Sequence, residues 1–149
     1  MKILVDGDAC PVKNIVIETA KKYNLKVLIF INESQELDSD YAKIIRVSSG
    51  KDVADFELIN QSETNDIVAS NDYGVLTMAL AKRAFPINFD GVIFTELNIN
   101  TFLMNRYLNE KSRKAKKYVK GPSKRKNEDN LKFEEVLNYL ILKNITEEI

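Results

Sequence analysis

Short apolar runs alternate along this chain with segments whose apolar residues recur at helical spacing. Residues 3–5 and 25–31 are near-continuous apolar runs, typical of strands covered on both faces of a parallel sheet. Residues 44–47 and 66–70 indicate two further strands. Between the strands, residues 12–20, 52–59 and 75–83 have the periodicity of helices packed on a sheet. The pattern predicts a three-layer α/β/α sandwich with a mainly parallel sheet.

The last third of the chain continues this organisation. Residues 85–89 and 92–94 flank a turn and predict either an edge strand or a hairpin. A helix that starts at Asn98 or Thr101 runs into a basic segment and is broken by Gly121-Pro122-Ser123. A chain of 149 residues has the length of one domain. We therefore predict a single domain over 1–149 that includes the basic segment 111–126 and a C-terminal helix over 130–144.

The composition narrows the possible chemistry. The chain has no histidine and one cysteine, which excludes a Ser-His-Asp triad, a Cys-His pair and any His-ligated metal site. Cys10 has no partner base in the sequence and is predicted to be a small packing residue. No apolar run approaches the roughly 20 residues that span a bilayer, and the N-terminus lacks a signal-peptide core. We therefore expect a cytoplasmic protein with no membrane partner.

Acidic residues follow three of the predicted strands at the point where each strand ends. Since the carboxyl ends of parallel strands lie along one edge of a sheet, we expect these side chains to meet there. Carboxylates without histidine or thiolate suit Mg²⁺ or Mn²⁺, and such ions can activate water for phosphodiester hydrolysis. A single aspartate at a strand-end turn is usually a turn former or helix cap, so the set of acids indicates function more strongly than any one of them does. The predicted catalytic and metal-binding residues are Asp6, Asp8, Asp52, Asp55 and Asp72.

Candidate substrate-binding residues lie beside these acids and in the basic segment. Ser70 and Asn71 are placed to position waters or a phosphate, although serine and asparagine in turns need no such role. Lys51 is placed to neutralise a phosphate, although a lone lysine is more often simply solvated. The basic segment 111–126 has nine Lys and Arg and no acid, so the rest of this net-neutral chain has a net charge of minus nine. Its alternative interpretation is a solvated helix end. The candidates for RNA phosphate binding in it are Arg113, Lys114, Lys117, Lys120, Lys124 and Arg125.

Several motifs together resemble a known family. They are DGDACPV at 6–12, GKDVAD at 50–55, DIVASNDYG at 66–74, Asn98-Ile99 with Leu103 and Arg106, and Gly121-Pro122 with Asp129 and Phe133. Over these segments, which extend across nearly the whole chain, the sequence resembles the YaiI/YqxD family. That family in turn resembles PIN-like domains, which are Mg²⁺- or Mn²⁺-dependent ribonucleases with a pocket of acids at the sheet edge. The resemblance implies a PIN-like fold, a metal site at the five aspartates and a substrate-binding role for Arg106.

Three functions remain open at this stage. The leading expectation is a divalent-metal-dependent nuclease that acts on RNA. The second is a non-catalytic RNA-binding module, which predicts salt-dependent binding without product. The third is a phosphatase of the haloacid dehalogenase type, because Asp6-x-Asp8 after a first strand is its opening signature. It ranks last, since Ala9-Cys10 follows the second aspartate and Lys51 directly precedes Asp52.

Overall fold

A computed structural model describes residues 1–48, 50, 52–114 and 124–147. The predictions made for Lys51, Lys117, Lys120 and the helix break at 121–123 lie outside these residues, as does the side chain of Arg113. Over the described residues the chain folds into a five-stranded parallel sheet with five helices, so the predicted α/β sandwich is confirmed. None of the described helices has the length and apolar character needed to cross a bilayer.

The five strands form one sheet in the order β3-β2-β1-β4-β5, and every neighbouring pair is parallel. The segment at 92–94 joins the sheet through a single antiparallel bridge between Ile87 and Ile93, so β5 is an edge strand and the hairpin alternative is reduced to that bridge. The strands are β1 (Lys2–Asp6), β2 (Lys26–Asn32), β3 (Lys43–Val47), β4 (Ile67–Ala69) and β5 (Phe85–Ile87).

The helices cover both faces of this sheet because successive strand residues point to opposite sides. Ile3 and Val5 of β1 share a buried cluster with residues of the first and last helices. Leu4, between them in sequence, packs in a second cluster with residues of the second and third helices. The helices are α1 (Lys13–Lys22), α2 (Val53–Gln61), α3 (Tyr73–Ala81), α4 (Ile99–Lys114) and α5 (Asn127–Glu147).

The strand order creates a point at which the direction of winding reverses. From β1 the chain adds β2 and β3 on one side, and then returns to add β4 and β5 on the other side. In open parallel sheets, ligand crevices form outside the carboxyl ends of the strands at such a reversal, because the loops on either side diverge there. In this fold the reversal lies between β1, which ends at Asp6, and β4, which ends at Ala69.

Candidate active site at the carboxyl edge of the sheet

One pocket at the carboxyl edge of the sheet brings together all five aspartates predicted from the sequence. Its volume is about 280 Å³, and its wall is formed by the ends of β2 and β3, the turns after β1 and β4, and the start of α2. We call it the acidic pocket. Its lining residues are Asp6, Asp8, Asn32, Val47, Ser48, Gly50, Asp52, Ala54, Asp55 and Asp72.

The turn after β1 is held tightly against β2. The Gly7 N–H donates to Phe30 O at 2.8 Å, and the backbone N–H of Asn32 donates to Asp8 Oδ1 at 3.2 Å. A Cβ on Gly7 would lie 2.6 Å from Ile29 Cγ2, so glycine allows this close approach of the turn to the neighbouring strand. These contacts hold Asp6 and Asp8 at the carboxyl edge of the sheet.

Ser70 connects the two loops on either side of the winding reversal. Its side-chain hydroxyl donates to Asp6 Oδ2 at 3.0 Å, and its oxygen accepts from the Asp72 N–H at 2.9 Å. Ser70 is fully buried, so these bonds are shielded from water. The structure thus gives Ser70 a positioning role that the sequence did not predict, while its phosphate contact stays a prediction.

Asp72 also serves as the N-cap of α3. Its Oδ1 accepts from Gly74 N at 2.8 Å and from Val75 N at 3.3 Å. The capping alternative considered for the aspartates is therefore correct for this one. Both capping bonds use Oδ1 alone, and the residue still lines the acidic pocket.

Asp52 and Asp55 come from the beginning of α2. Asp52 immediately precedes the helix with a left-handed backbone (φ 62°), a conformation that aspartate and asparagine tolerate better than most residues. Asp55 lies three residues further along, in the first turn, and is partly buried. This spacing places both carboxylates at the wall of the acidic pocket.

The acids of the pocket perturb one another electrostatically. Burial, the largest cause, raises the pKa of Asp55 to about 6 together with the charges of Asp6, Asp72, Asp52 and Asp8. Burial also raises the pKa of Asp6; the bond from Ser70 opposes this change, and the charges of Asp8 and Asp72 add to it. A set of like charges in one small pocket favours the binding of protons or cations there.

The donor chemistry of the pocket fits Mg²⁺ or Mn²⁺, because the ionisable groups among its described lining residues are all carboxylates. In the described part of the chain, however, no three His, Cys, Asp or Glu side chains form a group with the spacing of metal ligands. Mg²⁺ commonly keeps several waters and binds proteins through one or two carboxylates, so a closed cage is not a requirement for this ion. The acids therefore fit an ion that retains part of its water shell.

The predicted substrate-binding residues that the structure describes are not all in the acidic pocket: some are bonded within the protein and others are exposed on its surface. Asn71 lies in the turn after β4, where its Oδ1 accepts from Phe89 N at 2.8 Å. Lys114 and Lys124 are exposed. Arg125 is engaged within the protein: it donates to Asn130 Oδ1 and Phe89 O, both at 2.7 Å, and pairs with Asp90 at 3.2 Å. These roles in RNA binding stay predictions.

Cys10 occupies the packing position expected from the sequence. It belongs to the buried cluster beneath α1 and α5, where it is 5% exposed. Burial, the largest cause, raises the pKa of its thiol to about 11. A thiol that stays protonated at neutral pH is a poor nucleophile.

Asn32 is a pocket residue that sequence reasoning missed. It ends β2, and its backbone N–H holds Asp8. The signal was present, since Asn32 is the first polar residue after the apolar run of β2 and so lies at the same sheet edge as the acids.

Comparisons with known proteins give one family. The profile described as "Uncharacterized BCR, YaiI/YqxD family" matches residues 4–143. A UPF0178 protein of Alkaliphilus oremlandii is 51% identical over 97% of this chain and 94% of its own length. A second UPF0178 protein, from Lachnoclostridium phytofermentans, is 47% identical over 95% of this chain and 97% of its own length. No solved structure matches the chain.

Proposed function

The chain belongs to the YaiI/YqxD family, and from the geometry of its acidic pocket we propose that it is a divalent-metal-dependent nuclease that hydrolyses RNA. The observation that carries this proposal is the meeting of five carboxylates from three strand-end segments in one pocket. Helix capping accounts for only part of this set, since Asp72 has a side-chain capping bond and Asp52 has none.

A divalent cation would offset the negative charge of the carboxylates in this pocket. It would bind through one or two of the carboxylates of Asp6, Asp8 and Asp72, which lie on both sides of the winding reversal, and would keep part of its water shell. When bound, such an ion supplies charge neutralisation for a phosphodiester and acidifies a bound water. Without it, the acidic pocket would repel a phosphate placed inside it.

Asp55 is the best candidate for the proton acceptor. Burial and the neighbouring charges raise its pKa to about 6 in the pocket without a cation. A bound cation would lower that pKa by offsetting the same charges, so Asp55 would be ionised at neutral pH and able to accept a proton from an attacking water. The other acids would orient that water and hold the cation. Ser70 would act indirectly, because its hydroxyl fixes Asp6 relative to the backbone of Asp72.

Phosphate recognition would come from cations outside the acidic pocket. The basic segment 111–126 concentrates nine positive charges against a net-negative remainder of the chain. Its described members Lys111, Lys114, Lys124 and Lys126 are exposed and therefore accessible to an anionic polymer. Because each neutralised phosphate releases counterions, binding should weaken steeply with salt.

The test is an incubation of the purified protein with a mixed pool of single-stranded and structured RNA and DNA, in Mn²⁺ or in EDTA. The Asp6→Asn/Asp72→Asn double variant is run beside the native chain. We expect product from RNA only with the native chain in Mn²⁺, and a loss of roughly 100-fold or more in the variant. Equal cleavage by both proteins would contradict the proposed role of the pocket, as would intact RNA in every arm.

A charge-matched control separates the pocket from general electrostatics. Asp40 is exposed in the loop between β2 and β3 and is not among the residues that line the acidic pocket. Asp40→Asn removes one negative charge, as each pocket substitution does, and should leave cleavage unchanged. A loss of activity in this variant would show that the assay responds to net charge and not to the pocket.

The arrangement of the acids also favours a second candidate, a non-catalytic RNA-binding module. Its support is that no three of the acids form a metal-ligand group in the described residues. This candidate predicts salt-dependent RNA binding that persists in Asp72→Asn, with no product under any divalent ion. The same incubation, followed by a binding titration, distinguishes the two functions.

A further inference from the structure

A second groove lies directly beside the acidic pocket. It has a volume of about 500 Å³ and is built from the turn after β4 and one side of α4. Asn71 and Tyr73, which line it, are the two sequence neighbours of Asp72, a lining residue of the acidic pocket. We call it the α4 groove. Its lining residues are Asn71, Tyr73, Phe102, Asn105, Arg106, Asn109 and Glu110.

The α4 groove contains a cation–π contact between two of its lining residues. The Arg106 guanidinium lies over the Tyr73 ring, with its carbon 5.4 Å from the ring centroid. Phe94 supports the ring edge-on at 5.8 Å, and Phe102 packs against Phe94 at 4.9 Å. The aromatic layer is therefore fixed from below, while the Arg106 side chain above it is 54% exposed. An exposed guanidinium plane of this kind is a surface on which a nucleobase stacks.

The rim of the groove supplies polar groups that match a base edge and a phosphate. Asn105 and Asn109 lie one turn apart on α4, and each amide offers both a donor and an acceptor. The Oδ1 of Asn71 accepts a hydrogen bond from Phe89 N. The side-chain NH₂ of Asn71 is therefore the group that this residue can offer to a ligand, as a donor. Arg106 carries the positive charge, which Glu110 partly balances through an exposed ion pair at 3.4 Å.

We propose that the α4 groove binds the nucleotide next to the cleaved phosphodiester, with its base stacked on the guanidinium of Arg106 and its edge read by Asn105 and Asn109. This inference rests on the proposed function for the identity of the ligand as RNA. Tyr73 is a positioning residue in it, because it acts through Arg106. Asn71 and Tyr73 flank Asp72 in the chain, so the groove and the acidic pocket adjoin, and a nucleotide in the groove would neighbour a phosphodiester at the acids.

Abasic scanning of a short single-stranded RNA tests this inference. Binding is measured in EDTA, where the proposed nuclease does not act, with a set of fluorescent oligonucleotides that each lack one base. For the native chain we expect one position at which loss of the base weakens binding roughly fivefold or more. In Arg106→Lys, which keeps the charge but removes the plane, the same position should lose its effect. Arg106→Gln should weaken binding further and reduce its salt dependence.

Two additional variants provide the controls. Tyr73→Phe keeps the ring and should preserve the position-specific effect, whereas Tyr73→Leu should abolish it while retaining an apolar side chain against Phe94. Arg46→Gln removes an exposed arginine of β3, which is not among the residues that line the groove, and should change nothing. An abasic profile that is flat for the native chain, or identical in Arg106→Lys, would overturn the inference.

The outcomes separate this inference from the nuclease proposal. RNA that is never cleaved but shows one Arg106-dependent base position supports the groove and removes the enzyme. RNA that is cleaved in Mn²⁺ but shows a flat abasic profile supports the enzyme and removes the groove.

Discussion

Asp72 has a structural role and a proposed chemical role, and two substitutions separate them. Its Oδ1 caps α3 through Gly74 N and Val75 N, and its carboxylate lines the acidic pocket. Asparagine and aspartate are comparable N-caps, whereas alanine cannot accept either bond. Both substitutions remove the same charge, so the difference between them reports the cap alone.

We therefore expect the free energy of unfolding, measured by urea denaturation, to be about 1 kcal/mol lower for Asp72→Ala than for Asp72→Asn. Both variants should lose RNA cleavage to the same extent, because both lack the carboxylate. Equal stability of the two variants would show that the capping bonds contribute nothing. Native-like cleavage by Asp72→Asn would show that the charge is not needed.

At this scale the sequence predicted which acids meet, but not how they are held. The five aspartates follow strand ends, and parallel strands carry such residues to one edge, so their meeting needs no knowledge of side-chain contacts. The hydrogen bond from Ser70 to Asp6 joins residues that are 64 apart in sequence. It forms because β1 and β4 are neighbours in the sheet. The stack of Arg106 on Tyr73 likewise joins two elements, and no periodicity along the chain indicates it.

At the scale of the elements, Arg125 connects the start of α5 to the loop after β5 through hydrogen bonds and an ion pair. The guanidinium bonds Asn130 in α5, and it also contacts Phe89 O and Asp90 in the loop. Its side chain is 25% exposed. Hydrogen bonds of a partly buried charge are stronger than those of a surface pair, so these contacts should stabilise the docking of α5.

We predict that Arg125→Gln lowers the free energy of unfolding by roughly 1–2 kcal/mol in urea denaturation. Lys124→Gln, at the adjacent and exposed position, is the matched control and should unfold as the native chain does. If Arg125 serves RNA binding instead, the two variants will have equal stability and Arg125→Gln will show the larger loss in RNA affinity.

Helix boundaries were harder to predict than helix existence. The sequence indicated that α3 begins at Val75. The helix begins two residues earlier, at Tyr73, because Asp72 is its N-cap. The last helix was predicted over 130–144 and extends from Asn127 to Glu147. Its additional residues at each end are mostly polar, so hydrophobic periodicity does not register them. The sheet itself was predicted well, because its strands are short apolar runs that are buried on both faces.

At the scale of the whole molecule, the acidic pocket couples folding to pH. The folded chain raises the pKa of Asp55 to about 6 from an ordinary value of 3.8, and it raises the pKa of Asp6 in the same direction. The native state therefore binds these protons more tightly than the unfolded chain does. The resulting stability is fully present below about pH 4 and is lost as the pH rises through about 6.

The prediction is that, in EDTA, the free energy of unfolding decreases between pH 4 and pH 7 by about 1–2 kcal/mol from this pocket, after allowance for solvent screening. Asp55→Asn should flatten that decrease and stabilise the protein at pH 7, because it removes the residue on which the other four charges act. Asp40→Asn, an exposed acid elsewhere, should follow the native profile. Mn²⁺ at pH 7 should stabilise the native chain more than Asp55→Asn, since a cation offsets the same repulsion. A native profile that rises with pH between 4 and 7 and is unchanged by Asp55→Asn would mean that the carboxylates do not interact in the pocket.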